Sequence, residues 1–148
     1  MPFMGNIFEA RITDVIDGDT VDCDIDLGFG IWYIDQRIRL SGLDTPECRT
    51  RDLMEKRFGL MAKNKMLDML PIGSTCVLRT YDVGKYGRIL GDFWTEETDG
   101  KSVVEIMIEE HYGVEYHGQN RQDIEDEHIA NRHYFPYPPT LEQLQNED

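Results

Sequence analysis

Apolar and acidic residues alternate strictly from Thr20 to Leu27, in the order T-V-D-C-D-I-D-L. Successive side chains of an extended chain point to opposite faces, so this pattern separates an apolar face from a face of aspartates. A period of two over eight residues is typical of a half-buried strand. The segment therefore predicts one strand of a sheet whose apolar side contributes Val21, Cys23, Ile25 and Leu27 to a core.

Four further segments have strand patterns, and they are residues 10–16, 31–40, 75–82 and 88–95. The first three strands follow one another through Asp17-Gly18-Asp19 and Gly28-Phe29-Gly30, which are typical turn sequences, so they predict a meander. The last two strands flank five residues from Val83 to Gly87, and the glycines of this loop permit a tight reversal. The sequence therefore predicts five short strands.

Helical patterns separate and follow these strands. Residues 52–70 place apolar side chains on one side and basic ones largely elsewhere, and Pro71 ends the segment. The S-x-x-E spacing that begins at Ser102 is that of a capping box, so a second helix is predicted from there to near Gly113. A third, short helix is predicted over residues 123–131.

Five strands with one helix between the third and the fourth are the order of an OB-type barrel. We therefore predict an α+β fold, mainly β, consisting of a five-stranded barrel with two to three helices. A length of 148 residues suits one domain, which we assign to residues 1–135. Residues 136–148 are rich in proline and then acidic, so they predict a loosely held tail.

The net charge of −14 argues at first against a nucleic-acid partner. The charge is unevenly distributed, however, because residues 37–88 carry a net +5 whereas the segments on either side are strongly acidic. This central segment could contact an anion, or its basic residues could simply decorate one helix and one hairpin. Charge alone does not decide between these two interpretations.

Composition also limits the location of the protein. No apolar stretch approaches the ~20 residues that a membrane span needs. The first residues lack the basic start and continuous apolar segment of a secretory signal. We therefore expect a cytoplasmic protein without a membrane partner.

Two short runs, D-G-D-T and D-T-P-E, contain candidate metal ligands. Asp19, Asp44 and Glu47 offer hard carboxylate oxygens, and Thr45 offers a main-chain oxygen, which together suit Ca²⁺. Pro46 keeps Thr45 away from helical angles. Either run alone can also be an ordinary turn, because Asp and Gly are common in turns.

Arg39 and Arg88 are candidates for phosphate binding. Arg39 lies on the strand that leads to D-T-P-E, and Arg88 opens the strand after the hairpin loop. A barrel could bring both guanidinium groups to one rim, where they would suit the growing negative charge of a reacting phosphodiester. Each arginine by itself is also compatible with an exposed strand position. Other catalytic motifs are missing, since the sequence has no P-loop, no G-x-S-x-G elbow and no histidine spacing for zinc.

Three blocks of the sequence resemble the signature blocks of the staphylococcal nuclease (thermonuclease) family, in the family's order and at nearly its spacing. They are residues 16–20 (I-D-G-D-T), residues 38–47 (I-R-L, then L-D-T-P-E) and residues 85–88 (K-Y-G-R). The resemblance covers roughly residues 8–113. Secreted members carry signal peptides and are strongly basic, whereas this chain shows neither feature, and its later helix is shorter. We therefore expect a compact member of the intracellular, phage or plasmid type.

The resemblance implies roles for ten residues. It implies Asp19, Asp44 and the Thr45 carbonyl as Ca²⁺ ligands, and Glu47 as the carboxylate that orients or deprotonates the attacking water. The other implied roles are phosphate binding by Arg39 and Arg88, contact of Lys85 with a terminal phosphate, and substrate contacts by Tyr86, Tyr116 and His117. Residues 112–118 depart from the family's tyrosine-bearing segment.

The resemblance thus implies a Ca²⁺-dependent nuclease that hydrolyses phosphodiester bonds of DNA, with RNA as a second candidate, and leaves 3′-phosphates. The acidic surroundings of the basic segment would favour single strands and chain ends. Two alternatives remain: a catalytically inactive OB-type module that binds nucleic acid or protein, and an acidic mimic of DNA. Inactive modules usually lack several of the catalytic residues, and a mimic would need none of them.

Overall fold

The computed structural model describes residues 6–83 and 85–145, apart from the side chain of Lys85. Its strands are β1 (Asn6–Asp17), β2 (Thr20–Gly28), β3 (Ile31–Leu40), β4 (Leu43–Asp44), β5 (Thr75–Val83), β6 (Ile89–Trp94) and β7 (Val114–Glu115). Its α-helices are α1 (Leu53–Met69), α2 (Val103–Glu109), α3 (Arg121–Asn131) and α4 (Leu141–Gln145). None of these helices has the length and apolar character that crossing a membrane requires.

Five of the strands close into a barrel in the order β1-β2-β3-β6-β5. All neighbours are antiparallel except β3 and β6, which run parallel, and β1 closes the barrel by pairing with β5. The predicted meander and five-stranded barrel are confirmed. Val21, Cys23 and Ile25 lie in the core as predicted, whereas Leu27 is 47% exposed because β2 there extends towards its hairpin.

Helix α1 packs against the barrel and contributes to its core. Asp52 caps its first turn, because the Asp52 carboxylate accepts the main-chain N–H groups of Met54 and Glu55. Ala62, Met66 and Leu70 are fully buried in the same cluster as the inward-facing strand residues. The predicted helix is confirmed to within a residue at each end.

Helix α2 begins at the predicted capping box. The Ser102 side chain accepts the main-chain N–H of Glu105, and the Glu105 side chain accepts that of Ser102. The predicted end near Gly113 is wrong, since α2 ends at Glu109. His111 adopts a left-handed conformation with a φ of 65°, which turns the chain away from the helix axis.

A buried carboxylate, Asp92, lies beside the start of α2. Its Oδ1 accepts the N–H of Phe93 at 2.8 Å and that of Val104 at 3.3 Å. Burial outweighs these hydrogen bonds and raises the pKa of Asp92 to about 6. The folded protein therefore holds the Asp92 proton to a higher pH than the unfolded chain does.

This raised pKa predicts a specific pH dependence of stability. Asp92 contributes its full stabilisation below about pH 4 and loses it as the pH rises through about 6, because the unfolded chain releases the proton first. Asp92→Asn keeps an acceptor oxygen but does not titrate. Between pH 4 and 7 the unfolding free energy of the parent should therefore fall by about 2–3 kcal/mol relative to that of the variant. Urea unfolding at several pH values measures this difference. A parallel pH dependence of parent and variant would contradict the prediction, and exposed Asp126→Asn is the control.

Residues 138–145 pack against α1, so the expectation of a loosely held tail is wrong for them. The Arg57 side chain donates to the carbonyl oxygens of Pro138 and Pro139 at 2.7 and 3.0 Å. Leu144 of α4 is buried against Phe58 and Met61. Helix α4 is additional to the two to three helices predicted, and the division of the chain at residue 135 stays a prediction.

Candidate active site

The turn from Asp17 to Thr20 places Asp19 against α1 and the segment after β4. Gly18, in this turn, is buried, and a Cβ atom added to it would lie 2.8 Å from the Cβ of Ala62 and 3.0 Å from the Cγ2 of Thr45. Close packing therefore requires glycine here. Because Gly18 has no side chain, the turn can approach Ala62 and Thr45 closely.

Asp19, Arg39 and Asp44 converge at one end of the barrel. The pairing of Thr20 with Arg39 in the β2–β3 register brings β3 beside the turn. Arg39 Nη2 lies 3.5 Å from Asp19 Oδ2 and 3.7 Å from Asp44 Oδ1. The Asp19 and Arg39 side chains are only 13% and 18% exposed, so one guanidinium faces two carboxylates in a partly desolvated space.

Arg39 also holds the main chain between β3 and β4. Its Nη1 donates to the carbonyl oxygens of Leu43 at 2.7 Å, Leu40 at 3.0 Å and Asp19 at 3.4 Å. Nη1 is therefore used in shaping the turn, whereas Nη2 faces the carboxylates. Arg39 thus has a structural role that sequence reasoning did not assign to it.

Thr45 lies directly beside these carboxylates. Its main-chain N–H donates to Asp19 Oδ2 at 3.2 Å, and the residue is 5% exposed. Its hydroxyl oxygen is buried without a hydrogen-bond partner among the described residues, which is uncommon for a buried polar atom. Burial raises the pKa of Asp19, although the Arg39 charge and the hydrogen bonds from Thr45 and Thr20 act in the opposite direction.

These donors fit a hard cation better than a transition metal. In residues 6–83 and 85–145, no three side chains of the His, Cys, Asp or Glu type form a group able to hold a metal ion by themselves. Asp19 and Asp44 provide two carboxylates, so a cation here would need main-chain oxygens and water as well. Ca²⁺ accepts such a mixed oxygen shell, and it would offset the desolvation that opposes ionisation of Asp19.

Asp19 and Asp44, which face Arg39, form what we call the acidic group. Glu47 lies at its exposed edge. Its main chain abuts α1 at Gly59, where a Cβ atom would overlap the Glu47 carbonyl, and its N–H donates to Glu55 Oε1 at 3.4 Å. Loss of water on its inner side and the negative charges of Asp17 and Asp19, among other carboxylates, raise the pKa of Glu47. Glu47 is therefore electrostatically coupled to the site while its side chain remains open to solvent.

Arg88 and Tyr86 lie on the loop between β5 and β6. Tyr86 is 93% exposed and adopts a left-handed φ of 65°. Arg88 is exposed and directly precedes Ile89, whose partner across the sheet is Ile38, the neighbour of Arg39. No ion pair or hydrogen bond joins the Arg88 side chain to the acidic residues within the described part of the chain. The predicted phosphate contact of Lys85 lies outside the described residues.

Tyr116 and His117 follow β7, which pairs with β4 in a small antiparallel sheet. The Tyr116 N–H donates to the carbonyl oxygen of Gly42 at 2.8 Å, so this segment runs alongside the turn that leads to Asp44. Both side chains are exposed. The structure thus places them on the loop that follows the strand paired with β4, and their contact with substrate stays a prediction.

His128 is a site residue that sequence reasoning did not identify. It lies on α3, and its Nε2 is 2.7 Å from Asp44 Oδ2. Its side chain is 12% exposed. The histidine spacings gave no signal for this contact, because the partner is a carboxylate 84 residues earlier in the chain.

Comparison with known proteins agrees with this architecture. A search of curated proteins gave no significant match. Residues 37–133, about two thirds of the chain, match the family model described as staphylococcal nuclease homologue. The match begins in β3 and so does not include Asp19. In the folded barrel, the β1–β2 turn that carries Asp19 lies next to the matched residue Arg39. With the five-stranded barrel and the acidic group around Arg39, this match shows that the chain belongs to the staphylococcal nuclease family.

Proposed function

We propose that this protein is a Ca²⁺-dependent nuclease that hydrolyses phosphodiester bonds of DNA, with RNA as a second substrate. The observation that supports this most strongly is the convergence of Asp19, Arg39, Asp44 and Thr45 at one end of a barrel of a nuclease family. The carboxylates can bind a cation, and the guanidinium beside them can bind a phosphate. Together they form a site suited to metal-dependent reaction of an anionic substrate.

In this proposal Asp19, Asp44 and the Thr45 carbonyl hold Ca²⁺. When bound, Ca²⁺ would supply positive charge that polarises the phosphate and acidifies a nearby water. Glu47 accepts the proton of a water aligned for attack on phosphorus, opposite the leaving oxygen. Its exposed position at the edge of the acidic group gives the water access from solvent.

Two arginines stabilise the charge that develops on the phosphate. Arg39 presents Nη2 from a position that its main-chain hydrogen bonds hold in place, which suits a preorganised contact. Arg88 comes from an exposed loop and lacks a competing carboxylate partner in the described part of the chain, so its guanidinium is free to bind phosphate. In-line attack opposite O5′ would break the P–O5′ bond, release a 5′-hydroxyl and leave the 3′-phosphate that the family resemblance implies.

The charge distribution favours single strands and chain ends over long duplexes. Several bases of the central segment are engaged internally, since Arg37 pairs with Asp22 at 2.8 Å and Lys65 pairs with Glu110 at 3.1 Å. Among the other basic residues, Arg49 is exposed and follows closely after Glu47 in the sequence. A positive surface of this limited extent suits a short stretch of backbone, and the exposed Tyr86, Tyr116 and His117 offer surfaces for unstacked bases.

The alternative is a catalytically inactive module that binds nucleic acid or protein. Its strongest support would be loss of catalytic residue types, and all five of Asp19, Arg39, Asp44, Glu47 and Arg88 are present. An acidic DNA mimic would give no reason for a guanidinium that faces two partly buried carboxylates. Neither alternative predicts a requirement for a cation.

A cleavage assay tests the proposed function. The purified full chain is incubated with 5′-labelled single-stranded DNA in Ca²⁺ or in excess chelator, and product termini are identified by mass spectrometry. We expect cleavage in Ca²⁺, loss of at least ~10²-fold in chelator because the metal's charge stabilisation is removed, and 3′-phosphate products. Equal cleavage under both conditions, or none in Ca²⁺, would reject the proposal. Arg88→Ala, purified identically, reveals any contaminating nuclease.

A further inference from the structure

Helix α3 is attached to the barrel without a buried apolar face. None of the residues Arg121–Asn131 is buried. Surface helices are normally held by an apolar stripe that packs on the core, so α3 must depend on other contacts. The polar contacts that it makes are therefore important for its position.

Two of these contacts lie one helical turn apart and reach the region of the acidic group. The His128 Nε2 is 2.7 Å from Asp44 Oδ2, and Asn131 Nδ2 donates to the carbonyl oxygen of Gly113 at 3.2 Å. Side chains three residues apart share one face of a helix. This face of α3 therefore lies on β4 and on the segment that enters β7, beside a proposed cation ligand.

The two oxygens of Asp44 have different neighbours. Oδ1 lies 3.7 Å from Arg39 Nη2, whereas Oδ2 accepts a hydrogen bond from His128. An ionised carboxylate only accepts hydrogen bonds, so Nε2 of His128 carries a proton in this contact. Contacts on both oxygens prevent the carboxylate from rotating freely, and they leave Oδ1 directed towards Arg39.

We propose that His128 is a positioning residue of the cation site, which orients Asp44 so that Oδ1 faces Arg39, the side chain that also contacts Asp19. This inference rests on the proposed function, because it assigns Asp44 as a Ca²⁺ ligand. Partners that hydrogen-bond a metal ligand typically change metal affinity by 10–100-fold when they are removed. His128 acts through Asp44 and is not itself a ligand.

The same contact couples the cation site to α3. If an ordered His128 favours cation binding, a bound cation must favour the ordered α3 to the same extent, because coupling between two sites is reciprocal. Ca²⁺ should therefore slow amide hydrogen exchange in α3 of the parent. The slowing should be reduced when the His128 contact is removed.

Two variants and a control separate hydrogen bonding from packing. His128→Leu has a similar size and no donor, His128→Gln carries an amide N–H that can reach Asp44, and His133→Leu alters an exposed histidine. The Ca²⁺ dissociation constant is measured by calorimetry, α3 exchange by mass spectrometry, and stability by urea unfolding. We expect His128→Leu to weaken Ca²⁺ binding about 10-fold or more. His128→Gln should keep a Ca²⁺ dissociation constant within a few-fold of that of the parent.

Several outcomes would overturn the inference. An unchanged Ca²⁺ affinity in His128→Leu would do so while leaving the proposed function intact. An equal loss of affinity in His128→Leu and His128→Gln would also do so, because it would indicate packing without positioning. Lack of Ca²⁺ binding by the parent would reject the proposed function, and the inference with it.

Discussion

Replacing Glu47 with glutamine is expected to lower kcat for single-stranded DNA by about 10²–10⁴, because the variant cannot accept the proton of the attacking water. The fold should be unaffected or slightly stabilised. Partial burial and the negative charges of neighbouring carboxylates raise the pKa of Glu47, so a neutral side chain there removes a desolvation cost and repulsion. Steady-state cleavage at saturating Ca²⁺, with Tm measured in parallel, distinguishes catalysis from folding.

The control for this prediction is Glu142→Gln, which changes an exposed glutamate of α4 in the same way. We expect the control to cleave DNA at the rate of the parent. A Glu47→Gln protein that remains folded and retains more than a tenth of the parent's kcat would contradict the role of general base. The remaining parts of the proposed site would then need a different proton acceptor.

Removal of the two arginines is expected to have different consequences. Arg39→Ala would leave the carboxylates of Asp19 and Asp44 without the Arg39 charge and would remove three hydrogen bonds to main-chain carbonyl oxygens. Loss of one partner from a largely buried ion pair typically costs about 3–5 kcal/mol of folding free energy. Arg88→Ala should change stability by no more than about 0.5 kcal/mol, because the side chain is exposed.

Both arginine variants should lose activity, by about 10²–10³ for a donor that stabilises the transition state. Arg88→Ala is therefore the cleaner test of catalysis, whereas Arg39→Ala combines catalysis with folding. Urea unfolding and Ca²⁺-dependent cleavage measure the two effects separately. An Arg39→Ala protein as stable as the parent, or an Arg88→Ala protein with full activity, would contradict this division of roles.

Much of the fold could be predicted because its signals are local. Alternation in β2, the N-terminal cap of α1 at Asp52 and the capping box at Ser102 each depend on residues a few positions apart. The missed elements depend on distant partners. Helix α4, for example, is held by Leu144 packing on Phe58 and Met61. The end of α2 also differs, since the helix ends earlier than the pattern predicts.

The candidate site divides in the same way. The sequence placed Asp19, Asp44 and Glu47 in short runs of recognisable spacing, but each run could equally have been a turn. Gly18 illustrates the difference, since its place in a turn is visible in the sequence. The approach of Ala62 and Thr45 that requires a glycine there is a property of the folded chain.

By itself, the sequence determined the order of the strands, the central segment of net positive charge and the residue types available for chemistry, because these follow from local periodicity and composition. Only the tertiary structure decided that one guanidinium faces a carboxylate of the β1–β2 turn and one of β4, and that His128 reaches Asp44. The physical reason is that barrel closure and helix docking bring together residues up to 84 positions apart, and short-range patterns carry no information about such contacts. The runs that contain Asp19 and Asp44 become a candidate site through that closure.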